Sequence, residues 1–223
     1  MATKYYAVKT GRQTGIYTDW NTCKAQVDGF PGAEYKSFKT KPEAEEYLGT
    51  PIETTVTNTK EPNVPKNEIV AYVDGSWHPD TPNLFGAGIV TFYHNLPMQT
   101  SCILYEDTEM AKMRNVAGEL AAAAGILQEC KVRKERGYNL QKLTICHDYE
   151  GIAKWCTGQW QTKNKYTKAY KALYDEVAAL GFEICFVKIA GHTGNPFNEK
   201  ADELANLAFT NDWIVNTPIF ETK

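Results

Sequence analysis

Three short β-type stretches crowd together and run straight into a long helical pattern whose apolar face contains a glutamate. The stretches are Glu68–Val73, Gly86–Tyr93 and Met98–Tyr105, and the helical pattern runs from Asn115 to Lys134. Connections this short between strands predict an antiparallel meander. Val116, Leu120, Ala123, Ala124 and Leu127 recur at helical spacing, so one helix face is destined for burial. Later signals predict a strand at Leu143–His147, helices at Glu150–Trp155 and Tyr166–Leu180, a strand at Phe182–Ile189 and a helix at Asn198–Phe209. The resulting order β-β-β-α-β-α-α-β-α implies an α/β fold, a mixed five-stranded sheet flanked by helices.

A composition break precedes this unit. Residues 49–67 hold three prolines and five threonines and show little periodicity, which is linker composition. Upstream lies a small α+β module, residues 1–48. Strands are expected at Lys4–Lys9, Gly15–Tyr17 and Glu34–Phe38, and helices after a cap at Asp19 or Asn21 through Val27 and at Lys41–Leu48. The expected organisation is therefore module 1–48, flexible linker 49–67, main domain 68–210 and tail 211–223.

Charge divides along the same lines. The chain has a net charge of −3, yet residues 1–42 carry seven Lys or Arg against three acids, leaving an acidic remainder. A basic end on an acidic body suits an anion-binding module beside a site that needs carboxylates. No apolar run approaches a membrane span, and the start Met1-Ala2-Thr3-Lys4-Tyr5 has no apolar signal core. Cys23, Cys102, Cys130, Cys146, Cys156 and Cys185 show no zinc-type spacing, so reduced thiols and a cytoplasmic protein are expected.

Four acids stand where a sheet and its helices can bring them together. Asp74 and Asp148 are expected at strand ends, Glu119 lies in the long helix among Gly and Ala, and Asp202 lies in the last helix. Each has an ordinary reading alone: Asp74 a turn residue before Gly75, Asp148 a helix cap, Asp202 a solvated surface residue. Glu119 is harder to dismiss, because a buried unpaired charge is costly. Together, oxygen ligands without Cys or His pairs select Mg²⁺, with Mn²⁺ as a substitute. Several carboxylates around two such ions form a clamp suited to phosphodiester hydrolysis.

Residues 68–210 resemble the type 1 ribonuclease H domain. The resemblance rests on Asp74-Gly75-Ser76 with Gly86-Ala87-Gly88, on Asn115 to Gly118-Glu119-Leu120, on His147-Asp148, and on the run from Gly191-His192-Thr193-Gly194 through Asn198-Glu199-Lys200-Ala201-Asp202-Glu203-Leu204. It implies that Asp74, Glu119, Asp148 and Asp202 are the metal-binding and catalytic carboxylates, with His192 as proton carrier. Asn115 is implied to read a ribose 2′-hydroxyl, the mark of an RNA strand. Tyr149 stands where many members have serine. His78, His94 and His147 have no motif role. The five lysines and no acids of residues 154–171 suggest a phosphate-tracking surface, or else a solvated helix face.

Residues 4–48 resemble the hybrid-binding domain found at the N-terminus of many type 1 ribonucleases H, through Tyr5-Tyr6-Ala7-Val8, Gly11 to Tyr17, Trp20 to Val27 and Tyr35-Lys36-Ser37-Phe38. It implies that Trp20 and Tyr35 pack on the DNA strand and Lys36 on phosphate. The expected function is an endoribonuclease that cuts the RNA strand of RNA–DNA hybrids, leaving 5′-phosphate and 3′-hydroxyl ends. The alternatives are a non-catalytic hybrid-binding protein and a DNA-cutting nuclease of the same broad fold. The partner is the hybrid duplex, with no membrane and no obligate protein partner, and a monomer is expected.

Overall fold

The structure, a computed structural model, describes residues 4–39, 44, 47–48, 61–190, 194–210 and 214–215. Two compact units are present, Met1–Asn58 and Thr59–Lys223.

The smaller unit is a three-stranded antiparallel sheet with a helix. Strands β1 (Tyr5–Thr10), β2 (Gly15–Tyr17) and β3 (Glu34–Phe38) lie in the order β2-β1-β3. Helix α1 (Trp20–Val27) starts at Asp19, whose carboxylate accepts the Thr22 N–H at 2.8 Å and satisfies one of the helix's orphan donors. Its buried Cys23 and Val27 pack against Val8 of β1. Most of the helix expected at Lys41–Leu48 lies outside the described residues.

The larger unit is built on β4 (Glu68–Ser76), β5 (Leu84–Tyr93), β6 (Gln99–Glu106), β7 (Lys142–His147), β8 (Glu183–Lys188) and β9 (Ile214–Val215). They form one sheet in the order β8-β7-β4-β5-β6-β9, with β4-β5-β6 antiparallel and the β4-β7, β7-β8 and β6-β9 pairs parallel. The sheet therefore has six strands where five were expected. The sixth comes from the segment read as a tail: Ile214 and Val215 pair with Leu104 and Tyr105, a two-residue match too short to show as a pattern. The helices are α2 (Asn115–Glu135), α3 (Gly151–Cys156), α4 (Lys165–Ala179) and α5 (Pro196–Leu207). Helix α5 begins two residues before its expected start, because Pro196 has the φ a first helical turn requires and Asn195 caps it.

Alternation along β4 divides the core. Ile69, Ala71 and Val73 join the large cluster that contains Leu120, Ala124 and Leu127 of α2. Tyr72 and its neighbour Val70 face a second cluster with Phe92, Ala201 and Leu204, under α5. Val64, within the stretch expected to be linker, is 3% exposed in that second cluster, and its carbonyl accepts from His94 Nδ1 at 2.9 Å.

Helix and sheet approach each other through glycines. A Cβ on Gly75 would sit 2.1 Å from the Glu119 nitrogen, and one on Gly88 2.0 Å from the Ala201 carbonyl oxygen. Only a hydrogen fits at either position, so α2 and α5 close onto opposite faces of β4 and β5. Among the described residues, no helix is long and apolar enough to cross a membrane.

Candidate active site

The β4–β7 ladder ends at the pair Tyr72↔Cys146. Two residues further along the chain from each come Asp74, still within β4, and Asp148, just past the end of β7. The carboxyl ends of parallel strands are where rigid backbone meets open space, and the acids stand there as neighbours. Asp74 was expected at a strand end. Instead it lies within β4, which runs on to Ser76 because β5 supplies partners from Ile69 to Ser76, with Asp74 opposite Gly88 and Ser76 opposite Gly86. Asp148 follows the last residue of β7.

Glu119 arrives from the other face. It lies in the second turn of α2, and the contact at Gly75 brings that turn against β4. Asp74, Glu119 and Asp148 each offer an oxygen within 4.8 Å of the other two. Asp74 is 7% and Glu119 6% exposed.

Two of these carboxylates are buried, and ionising both beside Asp148 without a cation is unfavourable. Burial, then the charges of Asp148 and Asp202, push Asp74 up to about 7, against an opposing hydrogen bond from the Gly75 N–H. Burial, then Asp148 and Asp74, push Glu119 up to about 9, against a hydrogen bond from the Tyr149 backbone. Glu119 Oε2 is buried with no hydrogen-bond partner among the described residues. An orphaned buried oxygen among converging oxygen donors, with no sulfur or imidazole in the triad, fits a hard divalent cation.

Asp202, on α5, stands outside the triad yet close enough to raise Asp74. Its Oδ1 accepts from Asn206 Nδ2 at 3.0 Å. Asn115 is the first residue of α2 and is exposed at the helix mouth. The preceding Arg114 takes the left-handed φ of 56° and lays its guanidinium 5.5 Å from the Trp77 ring centroid. His192 lies outside the described residues.

Tyr149, Trp155 and Trp160 form a triangle of rings with centroids 5.8 to 6.1 Å apart, beside Asp148. This aromatic wall escaped the sequence reading, in which Tyr149 was noted only as a departure from the family. Of the lysines in 154–171, Lys154 pairs with Glu150 and Lys171 with Asp175, so two of the five serve local ion pairs. His147 is 2% exposed, and its Nδ1 lies 2.9 Å from the Tyr149 carbonyl oxygen. His94 is tied to Val64, and the His78 ring packs edge-on against Phe209 at 4.3 Å.

In the small unit, Trp20 and Tyr35 come together, with ring centroids 5.9 Å apart and 39% and 45% of their surfaces exposed. Tyr6 extends the row, 5.3 Å from Trp20. Lys36 alternates to the other face of β3, where its ammonium lies 5.5 Å from the Phe38 ring centroid. The structure thus unites two of the three expected contacts and separates the third. Arg12, exposed at the surface of the module, donates to the carbonyls of Ala25 and Asp28 at 3.0 and 2.7 Å.

A mixed sheet with helices on both faces carries an acidic triad, with Asp74 and Glu119 buried and Asp148 partly exposed, the arrangement of a nuclease-type hydrolase. The chain belongs to the RNase H family: the model described as RNase H matches residues 66–210. A second model, described as Ribonuclease H1 N-terminal domain, matches residues 4–48, so the chain joins a hybrid-binding module to an RNase H domain. Ribonuclease H1 of Rattus norvegicus is 26% identical over 259 residues, covering 90% of this chain and 87% of that protein. Ribonuclease H of Francisella philomiragia is 32% identical over 146 residues, covering 64% of this chain and 91% of that protein. Ribonuclease H of Saccharomyces cerevisiae is 53% identical over 51 residues, covering 23% of this chain and 15% of that protein.

Proposed function

We propose that this chain hydrolyses the RNA strand of RNA–DNA hybrids at a two-metal site held by Asp74, Glu119, Asp148 and Asp202, leaving 5′-phosphate and 3′-hydroxyl ends. The triad of oxygens within 4.8 Å of one another carries the reading, because nothing in the fold requires three acids to converge with two of them buried. Bound Mg²⁺, or Mn²⁺ in its place, supplies an activated water and neutralises charge on the departing 3′ oxygen.

The protein's own groups do the rest. Asp74 and Asp148, fixed by neighbouring strands, and Glu119, fixed by the α2 contact, hold their oxygens in place before any ligand arrives, so little reorganisation is left for the reaction. Asn115 at the helix mouth offers an amide to a ribose 2′-hydroxyl. His192 carries the proton that the leaving oxygen takes up. Trp20 and Tyr35 offer exposed faces to the sugars of the DNA strand, and Lys36 reaches phosphate from the edge of the module. Tethering that module to the catalytic unit raises the hybrid's local concentration.

The test incubates labelled RNA–DNA hybrid, double-stranded RNA, double-stranded DNA and single-stranded RNA with the full chain, in Mg²⁺ or in chelator, beside an Asp148→Asn variant. Cutting of the hybrid's RNA alone, dependent on Mg²⁺ and lost in the variant, is expected. Binding of the hybrid without cutting in Mg²⁺ or Mn²⁺ would make the protein a hybrid binder and sink the proposal.

A further inference from the structure

Asp202 is the one acid of the proposed metal site that stands outside the triad, partly exposed on the helix packed over β4 and β5, and the structure supplies a support for its side chain. Asn206, one turn further along α5, donates from Nδ2 to Asp202 Oδ1 at 3.0 Å and to the Asp202 carbonyl oxygen at 2.9 Å. Its Oδ1 accepts from the Ser76 hydroxyl at 2.6 Å. The chemistry leaves the amide a single orientation. Both Asp202 oxygens can only accept, so the NH₂ group must face them, and Oδ1 is left for a donor. Ser76 is that donor, 6% exposed on β4, two residues beyond Asp74. It reaches α5 because Gly86, its partner across the sheet, has no side chain: a Cβ there would lie 2.0 Å from the Ala205 carbonyl oxygen.

We propose that Ser76 and Asn206 form a hydrogen-bond relay that orients the Asp202 carboxylate as the outer ligand of the metal site. The inference rests on the reading of Asp202 as a ligand. Ser76 and Asn206 are positioning residues, acting through Asp202 and touching neither metal nor substrate. The relay ties the strand that carries Asp74 to the helix that carries Asp202, so the two acids keep their separation. It occupies Oδ1 and leaves Oδ2 without a protein partner among the described residues. An unanchored aspartate on a helix surface loses rotamer freedom when a metal captures it, and the relay removes that cost in advance.

The experiment titrates Mn²⁺ into the full chain and follows unbound ion by electron paramagnetic resonance, for the native protein and the variants Asp202→Ala, Asn206→Ala, Ser76→Ala and the Ser76→Ala/Asn206→Ala double. Thermal unfolding in chelator checks that each is folded, which the exposed position of Asn206 favours. Asp202→Ala is expected to weaken Mn²⁺ binding, and Asn206→Ala to weaken it about tenfold, the lower end of what removing a ligand's hydrogen-bond partner costs. Ser76→Ala is expected to show a smaller loss. The double variant should match Asn206→Ala alone, since removing the amide already breaks the relay. Binding within about twofold of native for Asn206→Ala, beside a clear loss for Asp202→Ala, would overturn the relay and leave the ligand reading intact. Losses that add in the double variant would also overturn it, by making the two residues independent. No loss for Asp202→Ala would remove Asp202 from the site, and the relay with it.

Discussion

Replacing Asp74 by Asn should stabilise the metal-free protein at neutral pH, although it removes a residue of the proposed site. Asp74 is 7% exposed, and burial with the charges of Asp148 and Asp202 raises its carboxyl from 3.8 to about 7. A raised carboxyl pKa means the folded state prefers the protonated form. That preference is fully satisfied below the unfolded pKa near 4 and is lost as pH rises through about 7. The shift spans roughly three pH units at about 1.4 kcal/mol each, a ceiling of about 4 kcal/mol near pH 7.5. Relaxation around the site and shared protonation with Glu119 reduce it to about 2 kcal/mol. Asparagine keeps the oxygen that accepts the Gly75 N–H at 2.7 Å and carries no charge at any pH. Urea unfolding in chelator should therefore show the variant about 2 kcal/mol more stable at pH 7.5 and equal to the native protein near pH 4. Added Mg²⁺ should stabilise the native protein and close the gap, because the cation favours ionised ligands. A variant equal to or weaker than the native protein at pH 7.5 in chelator would show that burial and the neighbouring acids do not disfavour the Asp74 charge, and the electrostatic account of the site would fail.

Gly75→Ala should cost about 3 kcal/mol or more by urea unfolding, since its Cβ would meet the Glu119 nitrogen, the Asn115 oxygen and the Gly118 carbonyl carbon at 2.1 to 2.6 Å, all backbone atoms that move only with the helix. Trp20→Ala should weaken hybrid binding by about 1–3 kcal/mol in a titration at fixed salt while leaving kcat unchanged, because the ring lies in the separate small unit. Lys36→Ala should act differently, lowering the slope of log affinity against log salt by about 1 with a smaller loss at any one salt concentration. Val64→Ala should cost about 2 kcal/mol of stability by urea unfolding, although its neighbours in the chain have linker composition, because the side chain is 3% exposed beside Tyr72 and Phe92.

Local signals fixed the order of elements and the identity of the acids. Periodicity marked α2 and the strands because their packing repeats every few residues, and Glu119 stood out because its helix neighbours are Gly and Ala. The ordered motif blocks carried the family. Side-chain alternation could also have warned that Tyr35 and Lys36 face opposite ways, since that follows from a strand's period of two. The spacing of Asp202 and Asn206 could likewise have pointed to a bond along one helix face, though no such pair was read from the sequence. What the sequence could not hold were relations between distant residues. The sixth strand depends on two residues meeting β6, and Val64 is buried only because α5 and the sheet roof it over. Asp74 lies inside a strand because β5 completes its ladder. The closeness of Asp74, Glu119 and Asp148 comes from the β4–β7 register and the glycine contact between β4 and α2. Residue type and period are properties of the chain and survive in the sequence, whereas register, desolvation and the distance between charges exist only once the strands and helices have packed.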